Sequence, residues 1–182
     1  MEKGVNAMSQ YEKNKLFQEF AVRTKRNLQI IESQALKNSD SAFEFTQLVN
    51  SLYGLLILPQ QRYYKEIMRI DQSKFIVSTK ICNIVSSWYP DDERDAHCLF
   101  RHLRNSLSHP RRKTHYSASL EFSPKDDSPT SIIFIDKPTQ KQITEGKYPT
   151  GTEFKLEVHH NDLKEMIFEF CDILSDYYSV LE

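Results

Sequence analysis

From Asn14 to about Ala35, the apolar residues Phe17, Phe20, Ala21, Leu28, Ile31 and Ala35 recur at helical spacing, with Lys15, Glu19, Arg26 and Lys37 on the other side. This predicts one long amphipathic helix. The polar stretch Asn38-Ser39-Asp40-Ser41 breaks it and can cap a second helix, from about Ala42 through Phe45, Leu48, Val49, Leu52, Leu55 and Leu56 to Pro59. Its wide apolar face predicts a central position. Gly54 costs about 1 kcal/mol relative to Ala in an exposed helix, so its presence suggests that another helix comes close there. Val77, Ile81, Ile84, Val85 and Trp88 also keep helical spacing, although their β-branched content favours helix less. Tyr89-Pro90-Asp91-Asp92-Glu93 reads as the start of the next helix, with carboxylates gathered at the positive end of its dipole. Ala96, Leu99, Phe100, Leu103 and Leu107 form that helix's buried stripe, and Pro110 disfavours helical geometry at His109.

Beyond Lys113 the period changes. Tyr116, Ala118, Leu120 and Phe122 alternate with polar residues, Ile132 to Ile135 is a short apolar run, and Phe154, Leu156 and Val158 alternate with charged residues. Three antiparallel strands are expected, joined by the turn-rich Ser123 to Thr130 and a long loop from Asp136 to Gly151. Asn161 or Asp162 then caps a last helix carrying Leu163, Met166, Ile167, Phe170, Ile173, Leu174, Tyr177 and Leu181 on one side. The expected architecture is mainly α: an antiparallel bundle of four to five helices with a small three-stranded antiparallel β insertion, about residues 115–159, before the final helix. Residues 1–10 read as a tail and 11–182 as one domain.

Composition adds bounds. With 182 residues, 39% hydrophobic and 27% charged, the chain is long enough for a real core and ordinary for a soluble globular protein. No apolar run approaches the roughly 20 residues of a membrane span, and Met1 to Gln10 lacks the apolar stretch of a signal peptide. The expectation is a cytoplasmic protein without membrane contact. Cys82, Cys98 and Cys171, odd in number and widely separated, suggest neither a disulfide framework nor a zinc site and read as small buried hydrophobes. Asp91, Asp92 and Glu93 read as a helix start rather than a metal site; no metal or other cofactor is expected.

Charge is unevenly distributed. Between Arg94 and Lys113 there are six Lys/Arg against one acid, Asp95, on a chain whose net charge is −1. Clustered charge focuses field at one place, so this island points to an anionic ligand. Within it, His97, Arg101, Arg104 and Ser108 share one helix face with Asn105 beside them, and His109 falls at the helix C-terminus, where a protonated imidazole is favoured. The apolar stripe is complete without these residues. The bland reading is a solvated basic face followed by a basic loop.

Arg104-Asn105-Ser106-Leu107-Ser108-His109 resembles the R-(polar)-x-x-x-H motif of HEPN domains, small all-α bundles many of which are metal-independent endoribonucleases. Arg23-Thr24-x-x-Asn27-Leu28 and Glu44-x-Thr46-Gln47-Leu48-x-Asn50-Ser51-x-x-Gly54-Leu55-Leu56 are similar to segments of small bacterial and plasmid-borne HEPN proteins. The resemblance implies cleavage of single-stranded RNA through its own 2′-OH, giving 2′,3′-cyclic phosphate and 5′-OH ends. His109 would serve as acid or base, Arg104 would hold non-bridging oxygens, and Asn105 would orient the phosphate or His109. Arg101, Ser108, Arg111, Arg112, Lys113 and His97 would contact the RNA. The resemblance also implies a homodimer with a composite cleft, and a toxin or antiphage-defence setting with an antitoxin or defence partner. Arg23, Asn27, Gln47 and Asn50 either support that cleft or are hydrogen-bonding residues of a satisfied core. The alternative function is a non-catalytic RNA-binding or assembly module.

Overall fold

The structure is a computed structural model, which describes residues 10–38, 41–57, 67, 69–108, 117–122 and 129–179. The elements, in chain order, are α1 (Gln10–Asn38), α2 (Ser41–Ile57), a short 3-10 turn (Gln72–Lys74), α3 (Ile76–Cys82), α4 (Ala96–Ser108), β1 (Ser117–Phe122), β2 (Pro129–Asp136), α5 (Gln140–Thr144), β3 (Phe154–His159) and α6 (His160–Ser179). Among these helices none is long and apolar enough to cross a membrane.

The two longest helices, α1 and α6, lie against each other. Lys25 pairs with Asp172 at 2.6 Å and Lys164 with Glu32 at 2.6 Å. Because the earlier residue of one helix meets the later residue of the other, the two run antiparallel. The apolar face of α2 enters the core through Leu48, Leu52, Leu55 and Leu56. Gly54 is where α1 comes close: a Cβ there would stand 2.8 Å from Cζ of Phe20, so only a bare backbone fits without displacing that ring. Phe75, just before α3, links the helices, its ring 5.4 Å from Phe100 of α4, which in turn lies 4.6 Å from Phe170 of α6.

The sheet has order β1-β2-β3, antiparallel throughout, with Leu120 opposite Ile132 and Phe134 opposite Leu156. Phe154, Leu156 and Val158 are buried while Lys155 and Glu157 are not, the two-residue alternation of a strand with one covered face. That covered face meets α4, and one core runs from Ala21 of α1 to Leu174 of α6.

Three segments depart from expectation. The helical spacing of Val77 to Trp88 forms a helix only as far as Cys82. Beyond it Ser86 and Ser87 bond the carbonyl of Lys155 at 3.0 and 3.3 Å, so the edge of β3 draws the chain into extended geometry, as the β-branched content allows. The loop after Asp136 contains α5, opened by a reciprocal capping box between Thr139 and Gln142 and followed by Gly146 at φ 73°. Helix α6 opens at His160, ahead of the expected caps, and the backbone N–H of Asn161 donates to Nδ1 of His159 at 3.3 Å.

Candidate functional site

Helix α4 begins later than its acidic approach suggests. Asp95 is its cap: Oδ1 accepts the N–H of Cys98 at 2.7 Å, and its carbonyl accepts that of Leu99 at 2.9 Å. Asp91, Asp92 and Glu93 are therefore not a first helical turn. The chain from Tyr89 to Asp92 closes a turn, with the N–H of Asp92 on the carbonyl of Tyr89 at 3.2 Å and the N–H of Tyr89 on Oδ2 of Asp92 at 3.0 Å. Arg94 then takes φ 57°, an uncommon conformation for a non-glycine residue, and the chain turns into the helix.

This turn brings Asp92 to His102, and the end of β2 brings Asp136 to the same ring. Nε2 of His102 lies 2.8 Å from Oδ2 of Asp92, and Nδ1 lies 2.7 Å from Oδ2 of Asp136. The side chains are 1%, 4% and 3% exposed for His102, Asp92 and Asp136. Both ring contacts are hydrogen bonds only if each nitrogen bears hydrogen or a carboxyl does. Arg101 also pairs with Asp92. Isolated charges at this depth would be costly; paired and hydrogen-bonded ones are tolerated. Phe154 stacks on the imidazole at 4.4 Å, only 6° from parallel.

Asp136 also reaches the motif. Nδ2 of Asn105 donates to Oδ2 of Asp136 at 2.9 Å, which turns the amide oxygen toward Arg104. Arg104 donates to that oxygen from Nη2 at 2.8 Å and from Nε at 3.1 Å. A continuous polar chain thus runs Arg101, Asp92, His102, Asp136, Asn105, Arg104. It ties two turns of α4 to the inserted sheet and fixes the rotamers of the motif's arginine and amide.

A cavity of about 310 Å³ opens beside this chain. Arg101, His102 and Asn105 of α4 line it together with Tyr89, and Asp136 with the following loop (Lys137, Thr139, Gln142, Lys147 and Tyr148) forms the rest of its wall.

The other expected site residues fall as follows. His109, Arg111, Arg112 and Lys113 lie outside the described residues, as does the side chain of Ser108. His97 is not presented to this cavity. Its ring meets Phe75 edge-on at 5.7 Å, and burial pushes its pKa below the ordinary histidine value, with Asp95 and the carbonyls of Ile70 and Ile67 opposing. Arg23, Asn27 and Asn50 are exposed and Gln47 is half-buried; Arg23 bonds Glu19 at 3.0 Å, and none of the four lines the cavity that holds Asn105. No group of three or more His, Cys, Asp or Glu able to hold a metal occurs among the described residues.

Sequence reading missed Asp92, His102 and Asp136. Two signals were present: His102 sits beside the apolar stripe of α4, and Asp136 ends the apolar run Ile132 to Ile135. A polar group at the margin of a buried face needs a partner. Which partner is a matter of tertiary pairing that spacing does not encode.

A mainly helical bundle with an Arg-Asn pair near the end of one helix, followed at once by a histidine, defines the class. Residues 8–181 match the family model described as HEPN pEK499 p136, and the chain belongs to this plasmid-borne HEPN family. No curated protein and no solved structure matches it.

Proposed function

We propose that the chain is a metal-independent endoribonuclease acting on single-stranded RNA, with Arg104, Asn105 and His109 as its catalytic residues. The observation that carries this reading is the Arg104-Asn105-Asp136 chain. Asn105 is anchored by a buried carboxylate and in turn orients Arg104, on the last turns of the helix that leads directly to His109. Membership of a HEPN family, whose domains are generally ribonuclease-like, supports it.

The chemistry asks little of the protein. The 2′-OH of RNA attacks the adjacent phosphorus and the 5′-oxygen leaves, giving a 2′,3′-cyclic phosphate and a 5′-OH. Arg104, a forked donor, stabilises the charge gathering on the non-bridging oxygens. His109 manages a proton at one of the two reacting oxygens. A homodimer would bring a second His109 to the other oxygen, and the basic Arg111, Arg112 and Lys113 would steer the strand. A toxin or antiphage-defence setting, with an antitoxin or defence partner, fits such an activity.

The test is cleavage of labelled single-stranded RNA in excess EDTA. His109→Ala and Arg104→Ala should each lose on the order of 10²-fold or more in rate while keeping most RNA affinity. A 2′-deoxy substitution at the scissile nucleotide should block cutting. Cleavage at the wild-type rate by His109→Ala would overturn the proposal, and binding of RNA without cleavage by the wild-type chain would favour the binding-module reading.

A further inference from the structure

The loop between β2 and β3 is the part of the chain that the Arg-to-His motif leaves without a role, and it is a built wall. The capping box of Thr139 and Gln142 fixes the start of α5. At the other end Gly146 takes φ 73°, and the backbone N–H of Lys147 donates to the carbonyl of Gln142 at 2.9 Å. Lys147 and Tyr148 then line the cavity together with Lys137, Arg101 and Asn105. Tyr148 is seated against Tyr89, ring centroids 5.0 Å apart, and Nζ of Lys147 stands 5.4 Å from the Tyr148 ring centroid.

The lining selects among occupants. A metal ion is disfavoured, because Asp92 and Asp136 are already engaged by His102, Arg101 and Asn105. A purely apolar molecule would take water from the cations and amides of the wall and give them no further hydrogen bond in return. A volume of about 310 Å³ suits a single small ligand and is too small for a folded peptide element. What remains is an anion carrying a flat ring. Arg101, Lys137 and Lys147 supply positive charge, Tyr89 and Tyr148 supply aromatic surface, and Asn105 supplies an amide that also belongs to the motif. Arg101 and Lys137 are held in place by Asp92 and Glu153, the latter pair at 3.1 Å.

We propose that this cavity is a single-nucleotide subsite contributed by the β insertion. It holds one ribonucleotide of the strand next to the scissile bond, with the base against the tyrosine pair and a phosphate at Lys147 and Arg101. Base stacking on aromatic rings combined with cationic contact to phosphate is the general physics of single-strand binding. The proposal rests on the nuclease reading above and adds to it a position at which the identity of a neighbouring base affects cutting.

The experiment titrates the full chain with each of the four nucleoside 3′-monophosphates, followed by amide NMR, for wild type, Lys147→Glu, Tyr148→Ala and the exposed control Lys80→Glu. At least one nucleotide should bind wild type and Lys80→Glu alike, shifting resonances of Asn105, Lys147 and Tyr148. Lys147→Glu and Tyr148→Ala should weaken it tenfold or more. Mapping cut sites on a mixed-sequence RNA should then show a changed base preference beside the cut in Tyr148→Ala. The subsite is overturned if no nucleotide shifts these resonances, or if Lys147→Glu binds as well as Lys80→Glu. It is also overturned if nucleotides bind but the cut-site preference of Tyr148→Ala is that of wild type, which would mark a site for free nucleotide. Tyrosine-dependent binding of mononucleotides and of a short RNA, with no cleavage of any RNA, sinks the nuclease reading and leaves the subsite standing.

Discussion

His102 shows how a buried polar cluster can be tolerable when complete and damaging when broken. With the ring in place, Asp92 and Asp136 are joined through it; without it, Asp92 keeps Arg101 and Asp136 keeps Asn105, but each loses one hydrogen bond in a pocket walled by Phe154, Tyr89 and Trp88. Leaving a buried polar group short of a hydrogen bond costs about 1–3 kcal/mol. His102→Ala should lower the unfolding free energy by about that amount in urea titrations, and a loss under about 1 kcal/mol would show that the network is not a stabilising element. His97 acts through protons. Above its ordinary pKa near 6.5 it is neutral folded or unfolded, but folding lowers its pKa through burial. As pH falls below about 6.5 the unfolded chain takes the proton first, and stability drops until the folded pKa is passed. Urea midpoints measured between pH 7.5 and 5 should therefore fall less steeply for His97→Gln than for wild type, and equal slopes would refute this. Burial likewise pushes the thiols of Cys82 and Cys171 up to about 12, which keeps them protonated and unreactive, whereas Cys98, expected to be buried too, is half-buried.

At the scale of elements, Gly54 is a point where α2 lies tightly against α1. Ala at Gly54 would gain helix propensity of about 1 kcal/mol, but its Cβ must push the end of the Phe20 ring aside. A larger branched side chain has no such escape. Gly54→Val should destabilise by about 1–3 kcal/mol, the usual cost of overpacking, while Gly54→Ala stays within about 1 kcal/mol of wild type; thermal unfolding of the two variants side by side checks the pair. The helices were legible in the sequence because each long amphipathic pattern points to one core: the stripes of Leu48 to Leu56, Leu99 to Leu103 and Leu163 to Leu174 are all buried. Legibility failed where a short segment had two options. Val85 to Trp88 has helical spacing and strand-forming side chains, and the edge of β3 decides between them. For the candidate site, the positions of Arg104 and Asn105 on the helix could be read from spacing, whereas the pairing of His102 with Asp92 and Asp136 depends on contacts 10 and 34 residues apart.

For the whole molecule, the composite-cleft proposal requires two copies. Sedimentation velocity should show a dimer at micromolar concentration, and an inactive Arg104→Ala chain mixed with an inactive His109→Ala chain should regain part of the cleavage activity if each cleft draws on both chains. A monomer, or mixtures as inactive as their parents, would count against it. The ionic terms should respond to salt as well. RNA affinity should fall linearly on a double-logarithmic plot against salt, with a smaller slope in Arg111→Ala/Arg112→Ala, because each lost phosphate contact removes a released counterion.

The antiparallel packing of α1 on α6 places a delay in the birth of the protein. About 120 residues of chain separate the end of the first of these helices from the start of the second. At a synthesis rate of about 5–20 residues per second, the exposed face of α1 waits on the order of ten seconds for its cover. During that interval the turn carrying Asp92, the helix carrying Arg104 and the strand carrying Asp136 have all been made, but the helix that closes the core over α4 has not. A nascent chain stopped between residues 136 and 160 would hold Asp92, His102, Arg104, Asn105 and Asp136 and still lack the helix that packs against Phe100 of α4, so the order of synthesis leaves the core beneath the polar chain open until α6 has been made.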